Sequence, residues 1–224
     1  YFIMEYFSNF DISINSHDVQ KAIKLQNNQN IDALINTALT FTTPKAIYSI
    51  EYPEFYNNSS VTIAGKEYQS IVLRKNIEHS NRVILFILTI GKNLEMEAEK
   101  STDYFNNYLL NKIGDLILRQ ARQQLQEYLQ KKYGFKTLSR MSPGSLPDWP
   151  LEEQSKLFGS LGNVDSNLGV HLNESLLMIP RKSVSGIFFH SEINFFSCQL
   201  CPRNNCDDRK APYDEIIANT YYNI

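Results

Sequence analysis

Cysteine, tryptophan and long apolar runs are all scarce in this chain. Of 224 residues, three are cysteine and one is tryptophan. The cysteines, Cys198, Cys201 and Cys206, crowd into one short stretch near the C-terminus. That is too few and too clustered for a disulfide framework, so a reducing, cytoplasmic setting is expected. The longest apolar run, Val83 to Leu88, falls far short of the roughly 20 residues that a membrane-spanning helix needs. Charge of one sign is also lacking. The net charge is −2 and no basic run exceeds Lys131-Lys132, whereas a nucleic-acid binder carries a concentrated basic footprint. Neither membrane nor nucleic acid is therefore expected as a partner. The N-terminus has no charged stretch leading into an apolar one, so no secretion signal is expected, and Met4 reads as the natural start. No internal repeat or low-complexity tract is present.

What remains is an ordinary globular composition, 42% hydrophobic and 21% charged, in a chain long enough for one sizeable core. Residues 4–14 suit a short strand, and Asn15 or Ser16 is placed to cap a helix running to about Leu25. After a polar break at Asn27 to Asn30, Ile31, Leu34, Ile35 and Ala38 have helical spacing. The tyrosine-rich stretch from Ala46 to Asn58 reads as extended structure and loop. Val61 to Ile63 and Tyr68 to Leu73 flank a hairpin turn at Gly65. Arg82 to Ile90 is a continuous apolar strand, buried on both faces. The longest helix is predicted from Asp103 to Lys132. Its apolar stripe comprises Phe105, Leu109, Ile113, Leu116, Ile117, Ala121, Leu125 and Leu129, and Gly134 ends it. Asp148 reads as the start of a helix to about Leu161, with Gly169 to Met178 and Val184 to Phe189 as later strands separated by a turn at Pro180. From Ser197 the chain is expected to be loop-rich. The mixed order of elements predicts an α+β fold, with a twisted antiparallel sheet and the long helix packed on it. Three segments are expected: 4–45, strand and helical; 46–197, the α+β domain; 198–224, the cysteine-containing tail.

Two constellations carry chemistry. Arg140-Met141-Ser142-Pro143-Gly144-Ser145 joins a guanidinium to a Pro-Gly turn, where Gly144 permits a positive φ or close approach of a ligand. Arg140 offers a planar fork for a carboxylate, and the turn is expected to leave backbone N–H groups open. A surface ion pair beside an ordinary turn is the competing reading. The second constellation is Cys198-x-x-Cys201-x-x-x-x-Cys206. Thiolates three positions apart can share one metal, and three suit a zinc site completed by His190, Asp207 or Asp208, or a four-iron cluster with an open ligand. A two-cysteine redox pair with a spare thiol, or inert thiols, are the alternatives. His17, His79 and His171 are isolated, Trp149 reads as a core anchor for the loop, and Ser183 and Ser185 lack the partners of a hydrolase triad.

The loop from Arg140 to Pro150, with Gly169-Val170-His171-Leu172-Asn173-Glu174-Ser175 and Lys182-Ser183-Val184-Ser185-Gly186, resembles the activation domain of cobalamin-dependent methionine synthase across roughly residues 80 to 197. That family carries Arg-x-x-Pro-Gly-Tyr, Gly-Val-x-Leu-Thr-Glu-Ser-like and Ser-Val-Ser-Gly segments in this order. The resemblance implies S-adenosylmethionine held by Arg140, Pro143, Gly144 and Ser145. It also implies a corrinoid-binding protein or methyltransferase as partner, which carries the cobalamin, and an electron donor. The implied role is reactivation of the partner's oxidised cobalt in trans. An accessory or docking module that binds a metal but not S-adenosylmethionine is the alternative. Three positions depart from the family: its loop tyrosine is Ser145 here, an aromatic hydroxyl becomes Phe196, and an acid on the long helix falls near Gln123. Because reactivation needs low-potential electrons, the resemblance favours an iron–sulfur cluster over zinc at Cys198, Cys201 and Cys206.

Overall fold

The computed structural model describes residues 4–24, 31–191, 195–206 and 209–222. The order begins β1 (Met4–Phe7), α1 (Ser16–Ile23), α2 (Ile31–Thr40), β2 (Lys45–Glu51), β3 (Ser60–Ile63), β4 (Lys66–Gln69), α3 (Ile71–Ile77) and β5 (Val83–Thr89). It continues with α4 (Asn93–Lys100), α5 (Tyr104–Tyr133), β6 (Leu138–Met141), α6 (Gln154–Ser160), α7 (Val164–Leu168), β7 (His171–Leu172), β8 (Met178–Ile179), β9 (Ser183–His190) and α8 (Glu215–Tyr222). Short 3-10 turns at Leu151–Glu153 and Ser197–Leu200 complete it.

The main sheet has the order β1-β2-β5-β9-β6, and every pairing is antiparallel. All seven residues of β5 are buried, as expected for a central strand whose side chains alternate between two covered faces. On one face Ile47, Val83, Leu85, Ile87, Ile187 and Phe189 pack with residues of α3, α6, α7 and the β3–β4 hairpin, and with Trp149. On the other, Tyr48, Ile84, Phe86, Leu88 and Phe188 meet Ala121, Leu125 and Leu129 of α5. The α+β architecture and the helix packed on the sheet are as the sequence predicts.

Helix α5 starts at Asp103, whose side chain accepts from the Phe105 N–H at 2.8 Å, and stops at Gly134, left-handed with φ 68°. Its buried stripe steps by four residues through Leu109, Ile113, Ile117, Ala121, Leu125 and Leu129. Each such step overshoots a full turn by about 40°, so the stripe winds around the helix. Its N-terminal part packs on α1, α2 and α4 through Val19, Ile35, Ala38 and Leu94. Its C-terminal part packs on the sheet. Leu116 is only partly buried and Phe105 is exposed, so these two expected members lie off the stripe.

Several boundaries differ from expectation. Only Met4–Phe7 of residues 4–14 forms a strand. The segment after it runs along α5, where Gln124 and Gln120 accept from the backbone N–H groups of Asp11 and Ser13 at 2.9 and 2.8 Å. Leu25 and Asn27 to Asn30 lie outside the described residues. The stretch from Ala46 is extended structure followed by loop, as expected, with the extended part forming β2 of the main sheet. The hairpin turn at Ala64-Gly65 is as expected, with φ of 52° and 70°. The strand after it stops at Gln69, because Ser70 caps α3 by accepting from the Leu73 N–H. Gly169 to Met178 forms not one strand but the minimal β7–β8 pair. Asn173 turns the chain there by accepting from the N–H groups of Ser175 and Leu177. The tail is not all loop, since it ends in α8. Among the described residues no helix is long and apolar enough to cross a membrane.

Candidate functional site

Strand β6 brings Arg140 into the sheet, paired with Phe188 of β9. Alternation along β6 sends Leu138 and Arg140 to the face covered by α5, and Met141 to the opposite core. A close approach makes this possible. A Cβ on Gly186 would lie 2.4 Å from the Met141 carbonyl and 2.9 Å from Ser142 Oγ. Gly186, from the Ser-Val-Ser-Gly segment, thus lets the start of the loop press against β9.

The loop after Arg140 is tightly self-bonded. Gly144 has φ 77°, as its sequence position predicts. The Gly144 N–H donates to the Trp149 carbonyl at 2.8 Å and the Ser145 N–H to the Ser142 carbonyl at 3.1 Å. The expectation of open N–H groups in this turn is therefore corrected: both close the loop on itself. Pro143 is buried and Gly144 exposed. Trp149 is fully buried, edge-on to Tyr68, and so anchors the loop. Asp148 does not start its own helix. Its carboxylate instead accepts from the N–H groups of Ile71 and Val72 at 3.2 and 3.0 Å, at the N-terminus of α3, where negative charge is favoured. The local helix begins later, at Leu151.

What the loop leaves unpaired is at its polar side chains. Ser142 Oγ and Ser145 Oγ are buried without a hydrogen-bond partner. Among the described residues Arg140 has no carboxylate partner. Burial pushes its guanidinium down to about 9, and Arg122 on α5 pushes the same way while Cys198 opposes. A guanidinium does not give up its proton in a protein, so this pressure is expressed as a demand for an anion. Lys210, in the tail, belongs to the same cluster. Shielding from solvent and the nearby Arg122, Arg140 and Arg119 push its ammonium down to about 8, again opposed by Cys198. The site thus assembles β6, the middle of α5 and the tail. Arg119 and Arg122 escape sequence reasoning, because two arginines three apart on a helix look like any solvated face.

The three cysteines are free thiols. Cys198 sits in the Ser197–Leu200 turn, where its sulfur accepts from the Lys210 N–H at 3.5 Å. The tail is organised by Arg209, whose guanidinium donates to the carbonyls of Cys198, Cys201, Ala211 and Arg203. Among the described residues no group of three His, Cys, Asp or Glu side chains is gathered to hold a metal. His190 has its Nδ1 at 3.1 Å from the Thr137 carbonyl and its ring stacked on Phe135, and it is not gathered with the cysteines. Asp207 and Asp208 lie outside the described residues. Phe196 is partly exposed, and Gln123 points to solvent, bonded to Glu127.

A family model described as the vitamin B12-dependent methionine synthase activation domain matches residues 65–211. The chain belongs to this family. Among solved structures it is similar to the MetH reactivation domain crystallised bound to AdoHcy, at 16% identity and a TM-score of 0.60. That match covers 83% of this chain and 69% of the other, and it shows a shared fold. No curated protein matches the sequence. The family match takes in the Arg140 loop, β9 and all three cysteines.

Proposed function

We propose that this activation-domain protein binds S-adenosylmethionine at the Arg140 loop and serves, in trans, to remethylate the cobalt of a corrinoid carried by a partner methyltransferase or corrinoid protein. The observation that carries this reading is Arg140: a partly buried cation that has no carboxylate partner among the described residues, beside a turn in which Gly144 is exposed with φ 77°. The amino-acid carboxylate of the ligand supplies the missing anion, as a bidentate partner for the guanidinium. Pro143, Gly144 and Ser145 would line the bound amino acid, with Ser142 Oγ and Ser145 Oγ as hydroxyls free to bond it. Because the loop N–H groups are spent internally, recognition falls to side chains and carbonyls. Ser145 in place of the family's tyrosine leaves more room over the ligand.

The ligand supplies an electrophilic methyl group: the sulfur–methyl bond breaks with its electron pair kept by sulfur, and reduced cobalt, having accepted one electron from a separate donor, provides the pair for the new cobalt–carbon bond. The contribution of this chain is to anchor the donor by its carboxylate end and leave its methyl end toward the partner. Calorimetry tests the reading. S-adenosylmethionine should bind the wild-type chain, and Arg140→Ala should weaken it about tenfold or more, the worth of a charge-assisted bidentate contact. Absence of heat at millimolar ligand would refute it.

A second reading is a metal- or iron–sulfur-bearing docking module that does not bind S-adenosylmethionine, in which a bound metal draws together three thiols that are not gathered among the described residues. All three thiols are free and fall in one tail whose backbone is already held in place by Arg209. Iron or zinc bound at Cys198, Cys201 and Cys206, measured on anaerobically purified protein that gives no heat with S-adenosylmethionine, would decide for it.

A further inference from the structure

A second cationic place lies at the far end of the sheet from the α5 N-terminus, and the reading of the Arg140 loop makes no use of it. The loop before β5, the loop after α5 and the end of β9 enclose a groove of about 370 Å³ that includes Asn81, Arg82, Phe135, Lys136 and His190. Arg82 lies 4.6 Å above the Phe135 ring, and its Nη2 donates to the Tyr133 carbonyl at 2.6 Å. That bond uses one of the five guanidinium donors. His190 hydrogen-bonds the Thr137 carbonyl through Nδ1, which leaves its Nε2 as an acceptor in the neutral ring. Among the described residues neither Arg82 nor Lys136 has a carboxylate partner, and no acid lines the groove. Glu78, close by in sequence, is engaged with Arg74 at 2.8 Å and His79 at 3.5 Å.

We infer that this groove is a binding site for a small phosphate monoester. The sign of the ligand follows from the lining, in which a guanidinium and an ammonium stand without a carboxylate among the described residues. Two cations carried by separate segments match the double negative charge of a phosphate monoester better than the single charge of a carboxylate. A groove of about 370 Å³ exceeds what a bare phosphate fills and lies in the range of small-ligand sites, roughly 300–1,000 Å³. Phe135 gives the organic part an apolar wall.

The test is a titration of the full chain, without S-adenosylmethionine, followed by amide chemical shifts. The probes are glycerol 3-phosphate and inorganic phosphate, with sulfate as the charge control. Saturable shifts at Asn81, Phe135 and His190 are expected, strongest for the ester. Arg82→Gln and Lys136→Gln should each weaken the ester about tenfold, the loss of one charge-assisted contact, while Arg140→Gln leaves it unchanged. Lys136 is exposed, so its variant keeps the test valid even where Arg82→Gln disturbs the end of α5. No saturable shift at millimolar ester would overturn the inference. So would an equal response to sulfate that neither variant alters, or binding lost in Arg140→Gln and kept in Lys136→Gln.

Discussion

Adding one methyl group at Gly186 tests the link between the sheet and the Arg140 loop most directly. The backbone of Gly186 needs no special conformation, since its φ is not among the positive ones, so Gly186→Ala acts by contact alone. The new Cβ would stand 2.4 Å from the Met141 carbonyl, 2.9 Å from Ser142 Oγ and 3.1 Å from a Phe86 ring carbon. Ordinary contact begins near 3.4 Å, so the carbonyl of an edge strand must retreat by about 1 Å. Ser142 can rotate away, but the carbonyl cannot. Overpacking of this kind costs about 1–3 kcal/mol, offset in part by the 0.5–1 kcal/mol or so that alanine gains over glycine in a strand. A net loss of about 1–2 kcal/mol is expected in a urea titration. More telling, β6 carries Arg140, so S-adenosylmethionine affinity should fall by more than stability alone explains, in protein that is still fully folded. Gly134→Ala is the control: it meets nothing within 4 Å but has φ 68°, and should lower stability by conformational strain without touching the ligand. If Gly186→Ala leaves both stability and affinity unchanged, β6 is not pressed against β9 as described and the argument fails.

Ile117→Ala should cost roughly 2–5 kcal/mol as a buried truncation, and Leu116→Ala, only partly buried, about 1 kcal/mol or less; equal losses in denaturant titrations would place the stripe on the wrong face. Arg209→Ala removes the donor shared by four carbonyls, and limited proteolysis should then cut between Ser197 and Ala211 while the sheet stays intact. Glu51 is buried with Oε1 unpaired, and burial holds its carboxyl above the usual range. The native state therefore keeps a proton that the unfolded chain releases, so stability is full below the ordinary carboxylate value and declines as pH rises through the folded one. Glu51→Gln should raise the melting temperature at pH 8 and flatten that decline; an unchanged profile would show that Glu51 is hydrated.

The parts of the fold that were legible in the sequence are those where one strong local signal coincides with burial. The unbroken apolar run of β5 and the capped, terminated α5 are of this kind, as is the turn at Ala64-Gly65. What was hidden depends on partners distant in the chain. Asp148 looks like a local cap, but its carboxylate serves α3, some 77 residues away, a choice made by the loop's anchoring through Trp149. Glutamines on α5 take the place of a strand for Asp11 and Ser13, which periodicity cannot reveal. At the site, Arg140 and Gly144 stood out because the local motif needs them. Arg119, Arg122 and Lys210 join only when β6, α5 and the tail fold together.

The winding of the α5 stripe has a mechanical corollary. Arg119 and Arg122 fall where the helix passes from packing on α1 and α2, through Ile117, to packing on the sheet, through Ala121. The helix works there as a crank, its two arms seated in different sockets and its elbow carrying the two arginines of the cationic cluster. Such a part tolerates exchange of residues but not of length. One residue inserted between Ile117 and Ala121 would turn one arm by about 100° relative to the other, unseating a socket or swinging the arginines away from Arg140. Chains that vary freely in their loops should therefore keep the residue count of this segment fixed.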